Sequence, residues 1–253
     1  MLPENTIAKR IVELLHREAE RTLVKDIRIG LGFTAVQLED NRTGLAAVLR
    51  EEIGGGCTTL SDAGTLKGKD ASYLLEMLLH SESVVSKSLG LATANSILSG
   101  RDLQGIDRRD TIELIKLIPE DRVAMVGLFR PLVSKIKSIT SNLTIIEKER
   151  GQGEVVSPNK GKTPLKNCTV ALITATSILN STLEDILNSL GSTRRVVLLG
   201  PSTPLATEIF FDTPINHLAS SRVINPEKIL QIVSEGGGTM IMRPYLDFIN
   251  LIF

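Results

Sequence analysis

The chain has 253 residues, of which 42% are hydrophobic and 23% are charged, so it carries enough apolar material for a buried core. Its 29 Lys and Arg residues balance 29 Asp and Glu residues, and aromatic residues make up only 3%. Neutrality and few aromatic rings both argue against a nucleic acid as the main partner. No apolar run reaches the length of a membrane span, and the N-terminus lacks the features of a signal peptide. We therefore expect a cytoplasmic protein with no membrane partner.

The first hundred residues predict a mixture of helices and antiparallel strands. Apolar residues at helical spacing predict a helix over Asn5–Glu20, and alternating apolar residues predict strands between Ile27 and Leu38. A turn then lets the chain return as a further strand over Leu45–Leu49. Two more helices are predicted, over Asp70–His80 and Ser83–Leu98.

From Asp110 onward, short apolar runs alternate with helical stretches. Runs that are apolar throughout suit strands covered on both faces, and strand–helix alternation predicts a parallel sheet. The predicted fold class is therefore α/β, with an α+β domain over residues 1–108 and a parallel-sheet domain over residues 109–253. The predicted strands are Arg122–Val126, Leu143–Glu147, Thr169–Thr174, Val196–Leu199 and Ile215–Leu218, with Thr239–Met242 as a candidate sixth.

Local structure is also predicted for three other segments of the second half. Asp110 is predicted to cap a helix that runs to Ile118, because Pro119 would stop it there. Residues 151–166 are predicted to form a long loop. The apolar residues 247–253 are too few to span a membrane, so we expect them to pack against the core or against the partner subunit of a homodimer.

In an open parallel sheet, ligands bind beyond the carboxyl ends of the strands, so the loops after the predicted strands are the candidate sites. Gly127 stands alone where a dinucleotide cradle needs several glycines, which argues against ordinary NAD binding. Arg130 is either an anion ligand or a solvated residue at a helix start. Glu147 follows Gly127 by twenty residues, the spacing of the carboxylate that binds ribose hydroxyls in Rossmann-type domains. It is the candidate catalytic acid–base, and the alternative is that it opens an exposed charged segment.

Small polar residues follow the strand predicted at Thr169–Thr174. Thr174, Thr176 and Asn180 precede a helix predicted to begin near Ser181. Their side chains can donate hydrogen bonds to an anion or a carbonyl group, and the helix start supplies further free N–H groups. The alternative is that Asn180 or Ser181 only caps the helix.

The loop Gly200–Pro204 is the fourth candidate. Gly200 permits a sharp turn, and Ser202 or Thr203 can cap a helix whose first turn accepts Pro204. The free N–H groups at such a helix start would bind an anion. We therefore predict that Gly200, Ser202 and Thr203 bind a small-molecule ligand.

The sequence motifs of common hydrolases and nucleotide-binding enzymes are missing. There is no HExxH, GxSxG or P-loop pattern, and the three histidines share no motif. His16 and His80 fall on predicted helices, where a core or surface role is expected. Cys57 and Cys168 are far apart, and an inert thiol is the expected state of Cys57, with a nucleophile or a metal ligand as the alternative. No set of metal ligands is predicted.

Five segments of the sequence carry a resemblance to a known family. They are Gly32–Val36 (GFTAV), Leu91–Asn95 (LATAN), Val123–Phe129 (VAMVGLF), Leu172–Thr176 (LITAT) with Asn180–Leu183 (NSTL), and Leu199–Leu205 (LGPSTPL). Together they resemble the group labelled "putative heavy-metal chelation", whose members pair an enolase-N-terminal-like domain with a Rossmann-like domain. Where that family has Thr-Gly-Thr after its strand, this chain has Ala175 between two threonines, and the added methyl group is expected to narrow the approach to a ligand.

The resemblance also implies a ligand site between the two domains. On this basis three residues of the first domain, Phe33, Thr34 and Asn95, face ligand-site residues in the strand-end loops of the second. Those residues are Gly127, Glu147, Thr174, Asn180 and Ser202. Chelators of the pterin, flavin or siderophore kind are the compounds inferred for the family, and metal handling is inferred as well. The implied cofactor is therefore unidentified, with a divalent metal or a metal chelate as the candidates.

Three functions remain open at this point. The first is an enzyme that acts on a small heterocyclic or chelating molecule and uses Glu147 as acid–base. The second is a binding protein for a metal or a metal chelate, without turnover. The third is a methyltransferase-like enzyme that uses S-adenosylmethionine, against which the single glycine at Gly127 argues.

Overall fold

The computed structural model describes residues 1–4, 6–54, 57–147, 155–156 and 158–253, with the backbone alone for those between 155 and 161. Within this part of the chain, residues 1–108 form three helices and a three-stranded antiparallel sheet. These elements are α1 (Thr6–Ala19), β1 (Val24–Ile29), β2 (Phe33–Leu38), β3 (Thr43–Ala47), α2 (Ala71–His80) and α3 (Val84–Ser99). We call residues 1–108 the N-terminal part and residues 109–253 the C-terminal part.

The described residues of the C-terminal part form a seven-stranded sheet and its connecting helices. The strands are β4 (Val123–Val126), β5 (Leu143–Ile146), β6 (Val155–Val156), β7 (Val170–Thr174), β8 (Arg195–Leu199), β9 (His217–Val223) and β10 (Leu246–Ile252). The helices are α4 (Thr111–Ile115), α5 (Arg130–Lys137), α6 (Pro158–Asn167), α7 (Leu183–Asn188), α8 (Pro226–Ser234) and α9 (Thr239–Met242). The expected α/β class, with an α+β N-terminal part, is thus confirmed.

Strand order in the larger sheet is β10-β9-β8-β7-β4-β5-β6, and every neighbouring pair is parallel except β10 with β9. The six parallel strands follow the order of doubly wound sheets that bind ligands where the strand order reverses. That reversal lies between β4 and β7, because β5 continues to one side of β4 and β8 continues to the other side of β7. The carboxyl ends of β4 and β7 are therefore the expected place for a ligand.

The candidate sixth strand at Thr239–Met242 is wrong, whereas the apolar residues 247–253 pack against the core, which is one of the two outcomes expected for them. Residues Thr239–Met242 form the short helix α9, because a four-residue apolar run fits a helix as well as a strand. The last strand of the sheet is β10, which includes most of the residues predicted only as an apolar tail. It pairs with β9 from Leu246 opposite Val223 to Ile252 opposite His217, so the tail packs within the chain. The homodimer stays a prediction.

Two further elements differ from expectation. The helix that Asp110 caps ends at Ile115, before Pro119, because Lys116 takes a left-handed conformation with φ 53°. Asp110 itself caps as predicted, since its side chain accepts a hydrogen bond from the Ile112 N–H at 2.9 Å. The predicted loop at 151–166 contains strand β6 and most of helix α6, while its residues 151–154 and 157 lie outside the described part.

The buried core is continuous across the two parts. One cluster joins Ile11 of α1 and Leu89 of α3 to Ile173 of β7 and Leu183 of α7. A second cluster packs the N-terminal sheet, including Ala35 and Leu45, against helix α8. Burying one such large side chain contributes about 1.5–3 kcal/mol. The domain boundary near residue 108 stays a prediction, because the apolar contacts do not stop there.

Two buried carboxylates hold loops and helices in place. Asp121 is 2% exposed, and its carboxylate accepts hydrogen bonds from Arg194 and from the Thr169 hydroxyl. Burial alone would raise the pKa of Asp121, but these hydrogen bonds outweigh it and hold that pKa below its ordinary value. Glu184 of α7 is 4% exposed and accepts a hydrogen bond from the Ile7 N–H at 2.9 Å, so it fixes the start of α1 against the C-terminal part.

His217 is fully buried at the start of β9. Its Nε2 lies 2.9 Å from Asn250 Oδ1, and the Asn250 amide nitrogen donates to the Arg109 carbonyl at 3.0 Å. Because the amide orientation is fixed in this way, His217 carries its proton on Nε2. Burial lowers the pKa of His217, and the hydrogen bond with Asn250 opposes this only in part.

Helices among the described residues are all too short or too polar to cross a membrane.

The lowered pKa of His217 makes stability depend on pH. The unfolded chain binds a proton at this residue more readily than the folded chain does. The free energy of unfolding therefore has its full value, as far as His217 is concerned, above a pH of about 6.5. Below that pH it decreases by up to about 1.4 kcal/mol per pH unit. We expect His217→Gln, which keeps a donor for Asn250, to flatten this slope in urea titrations between pH 7.5 and 5.5. The exposed His80→Gln is the control, and an unchanged slope in His217→Gln would contradict the assignment.

Candidate functional site

The candidate site lies beyond the carboxyl ends of β4, β5, β7 and β8. Gly127 directly follows β4 and adopts φ +86°, a conformation that L side chains rarely accept. A Cβ atom at this position would come within 2.9 Å of Thr174 Cβ and Cγ2. Glycine is therefore needed here both for the turn and for the close approach of the loops after β4 and β7.

The side chain of Glu147, the residue after β5, lies beside this turn. Its Oε2 accepts a hydrogen bond from the Leu128 N–H at 2.9 Å. That N–H belongs to the loop after β4, where a dinucleotide-binding fold presents N–H groups to a pyrophosphate. A protein carboxylate already uses this donor, so the position disfavours a phosphate group.

The turn after β7 is built on threonine hydroxyls. Thr174 Oγ1 lies 3.0 Å from Thr176 Oγ1 and also accepts a hydrogen bond from the Thr176 N–H at 3.4 Å. Both side chains are half-buried and lie at the start of the short 3-10 helix 175–178. Ala175 is 1% exposed and belongs to the main core, so its methyl group does not narrow the approach to a ligand as the sequence suggested.

Asn180 and its neighbours meet the N-terminal part. Asn180 Nδ2 donates to Glu52 Oε1 at 3.3 Å, and Asn180 Oδ1 accepts a hydrogen bond from the Thr182 hydroxyl at 2.7 Å. Ser181 adopts φ 55°, and its hydroxyl accepts a hydrogen bond from Lys87 Nζ at 3.1 Å. Helix α7 begins at Leu183 without a capping side chain, so the capping alternative for Asn180 or Ser181 is wrong.

The loop Gly200–Pro204 also meets the N-terminal part, but it does not start a helix. Gly200 turns with φ +114°, and the next regular element is the 3-10 helix 207–210. The predicted anion site at a helix start is therefore wrong for this loop. Ser202 is 2% exposed, and its Oγ accepts a hydrogen bond from the Ala47 N–H at 2.8 Å. It joins the two parts and leaves little surface for a ligand.

The residues implied by the family resemblance take different roles. Asn95 Nδ2 donates to the carbonyl oxygens of Leu45 at 2.8 Å and Ser202 at 3.2 Å, so Asn95 holds the same loop in place. Thr34 is fully buried, and its hydroxyl has no hydrogen-bond partner among the described residues. Phe33 points to the opposite face of β2 and packs against the cluster around α8.

Apart from Phe33 and Thr34, the predicted residues lie in three neighbouring groups along one edge of the sheet. The first group surrounds the turn after β4, the second lies around Asn180, and the third surrounds Ser202. Lys87, Glu52 and Ala47 of the N-terminal part also contribute to these groups, although they were not among the predicted site residues. Only Lys87 carries a recognisable signal, because a cation in the first turn of a 16-residue helix opposes the helix dipole.

Two cavities of larger volume lie away from the carboxyl ends of the strands. One groove of about 800 Å³ lies in the N-terminal part along α2, and a cavity of about 450 Å³ lies near the amino ends of β4 and β5. In the groove, His16 Nδ1 and His80 Nε2 each lie 3.1 Å from a different oxygen of Glu76. Within the described residues, His, Cys, Asp and Glu form no group of three or more that could hold a metal ion. Cys57 is an exposed free thiol, and Cys168 is buried.

The contact between Gly127 and Thr174 can be tested by substitution. Gly127→Ala adds both the cost of a positive φ and a clash with Thr174, so we expect a loss of about 2–4 kcal/mol in the free energy of unfolding. Gly105→Ala is the matched control, since Gly105 has φ +72° and open space around its Cβ position. Chemical denaturation measures both variants. An equal loss in the two variants would show that the close approach to Thr174 is absent.

Comparison with known proteins gives the family. Residues 110–252 match the family described as "Putative heavy-metal chelation", and residues 12–98 match a second family model with the same description. An uncharacterized protein of Methanocaldococcus jannaschii is 25% identical over 248 residues, which cover 94% of this chain and 93% of that protein.

Two crystal structures share the fold. A protein with unknown function from the DUF364 family of Pyrococcus horikoshii aligns with a TM-score of 0.86 and 22% identity, over 98% of this chain and all of that one. A protein of the same family from Desulfitobacterium hafniense aligns with a TM-score of 0.84 and 21% identity, over 99% of both chains. The chain therefore belongs to the family described as "Putative heavy-metal chelation", a family of unknown function.

Proposed function

We propose that this protein binds a small anionic organic molecule, a chelator or its metal complex, where the N-terminal part covers the carboxyl edge of the seven-stranded sheet. The observation that carries this proposal is the position of Lys87. Its half-buried ammonium group lies at that edge, 3.1 Å from Ser181 Oγ. A ligand there would contact both parts of the chain at once.

Lys87 is a cation without a carboxylate partner among the described residues, since none of their ion pairs includes it. It also lies in the first turn of α3, where the helix dipole disfavours a positive charge. Both features favour an anion as the natural partner of Lys87. A carboxylate or phenolate oxygen of a chelator would supply that charge.

The other side chains of this edge suit an oxygen-rich ligand. The Asn180 amide and the Thr174 and Thr176 hydroxyls are neutral donors and acceptors that lie at or just beyond the carboxyl end of the same strand, β7. Such groups recognise carbonyl and hydroxyl oxygens, which chelators, pterins and flavins all present. A bare metal ion would instead require the clustered Cys, His or carboxylate ligands that the described residues lack.

Glu147 is the proposed acid–base if the protein is an enzyme. It lies at the turn after β4, next to the loop after β7, where it would reach a ligand bound at the reversal of strand order. A methyltransferase-like use of S-adenosylmethionine is less well supported. The single glycine of this turn, and the hydrogen bond of its Leu128 N–H to Glu147, leave less room and fewer donors for that cofactor.

The proposal can be tested by thermal shift with metal-stripped protein. The panel contains pterins, flavins, catechol and hydroxamate chelators with and without iron, S-adenosylmethionine, and divalent metals alone. A ligand at a hundredfold excess over its Kd stabilises the native state by about 2.7 kcal/mol, which raises the Tm measurably. We expect a chelator or a chelate to raise it, and Lys87→Gln to weaken that binding by about tenfold or more, because a charged hydrogen bond is lost.

One control variant shows whether a loss of binding is specific to the proposed site. A second variant shows whether Glu147 binds the ligand or acts in turnover. Lys67→Gln removes an exposed lysine of the N-terminal part and should leave binding unchanged. Glu147→Gln that binds the ligand normally but lacks turnover would identify an acid–base. A response to divalent metal alone, lost in His80→Gln, would move the function to the groove along α2 and contradict the proposal.

A further inference from the structure

Ser181 combines a hydroxyl side chain with an unusual backbone conformation. It adopts φ 55°, in the left-handed region that serine rarely occupies. The other described non-glycine residues with a positive φ are Asn41 in the β2–β3 turn, Lys116 at the end of α4 and Asp212 in an exposed turn before β9. Ser181 alone lies in a loop of the candidate site. Backbone strain of this kind is concentrated at functional sites, so the direction of the Ser181 side chain points to a role there.

The Ser181 hydroxyl lies within reach of an amine from the other part of the chain. Lys87 Nζ is 3.1 Å from Ser181 Oγ, and both side chains are half-buried. A serine hydroxyl is a weak nucleophile until a neighbouring base takes its proton, and lysine is one of the bases that proteins pair with serine for this purpose. Proton transfer between two such groups requires a separation of about 2.6–3.2 Å, which this pair satisfies.

We infer that Ser181 and Lys87 form a nucleophile and its general base, and that their substrate is a carboxylic ester bound at the carboxyl edge of the sheet. Ser181 lies in the loop after β7, and the carboxyl end of β7 borders the reversal of strand order. The inference rests on the proposed function for the position of the ligand, and it assigns the proton transfer at Ser181 to Lys87.

The reaction is an ester hydrolysis in two steps. In the first step Ser181 Oγ attacks the carbonyl carbon of the ester, while the neutral amine of Lys87 takes the hydroxyl proton. The bond from that carbon to the alcohol oxygen breaks, the alcohol leaves with the proton from Lys87, and the acyl group stays on Ser181. In the second step water attacks the acyl carbon, and Lys87 transfers a proton from this water to Ser181 Oγ as the carboxylic acid leaves. Ester and water are the only reactants.

Two substitutions separate the role of each residue. Ser181→Gly removes the hydroxyl, and the fold should be kept because glycine accepts a positive φ without strain. Lys87→Arg keeps a cation for an anionic ligand, but a guanidinium group cannot accept the serine proton. Ser189→Ala is the matched control, because the Ser189 hydroxyl lies at the end of α7 and donates to the Asp185 carbonyl at 2.7 Å.

Acylation of the full chain by p-nitrophenyl acetate tests the inference. We expect one acetyl group on Ser181, located by peptide mass spectrometry. Release of p-nitrophenolate should become faster from about pH 7 to about pH 9, because Lys87 must be neutral to take the proton. Ser181→Gly and Lys87→Arg should each slow this release by about a hundredfold or more, which is the usual contribution of a general base. Ser189→Ala should react like the wild type.

Several results would overturn the inference. They are acetyl groups on lysines but not on Ser181, an unchanged rate in Ser181→Gly, and an unchanged pH profile in Lys87→Arg. The thermal-shift panel keeps the two proposals distinguishable. A chelator that raises the Tm of a chain that is not acetylated at Ser181 rejects the nucleophile and leaves the binding proposal in place. Acetylation of Ser181 without any shift in the panel supports the nucleophile and contradicts the chelator proposal.

Discussion

The candidate site depends on the packing of the N-terminal part against the carboxyl edge of the parallel sheet. The bond from the Ala47 N–H to Ser202 Oγ and the bonds from Asn95 to the same loop are buried or half-buried. Each contributes about 1 kcal/mol, and losing one partner costs more because the other stays desolvated. The continuous apolar core supplies the larger energy, while these polar contacts fix how the two parts are aligned. The proposed ligand site between them would therefore be as rigid as the core itself.

The chemistry of that edge differs from that of a nucleotide-binding sheet with the same strand order. A dinucleotide-binding turn offers free backbone N–H groups and several glycines. Here Glu147 uses the Leu128 N–H, and Gly127 is packed against Thr174. The positive charge comes from Lys87, which belongs to the N-terminal part. For the proposed function, this arrangement would support recognition of an organic anion by side chains, in place of recognition of a phosphate by the backbone.

Much of the fold follows from the sequence because its signals are local. Helical spacing predicted α1 to within one residue at each end, and five apolar runs predicted β4, β5, β7, β8 and the start of β9. The failures come from signals that are not local. The chain after α9 returns as the antiparallel strand β10, and the loop after β8 is held by Asn95 instead of starting a helix. Gly127, Glu147, Thr174 and Asn180 could be proposed because strand ends share an edge, whereas Lys87 and Glu52 reach that edge only through tertiary packing.

Hydrogen exchange in the presence and absence of the strongest ligand from the thermal-shift panel tests the central claim most directly. The claim is that one ligand contacts both parts of the chain at the carboxyl edge. It predicts slower exchange in the first turns of α3 and, in the same experiment, in residues 174–182 after β7. Slower exchange confined to one part, or centred on the groove along α2, would contradict a site shared by the two parts.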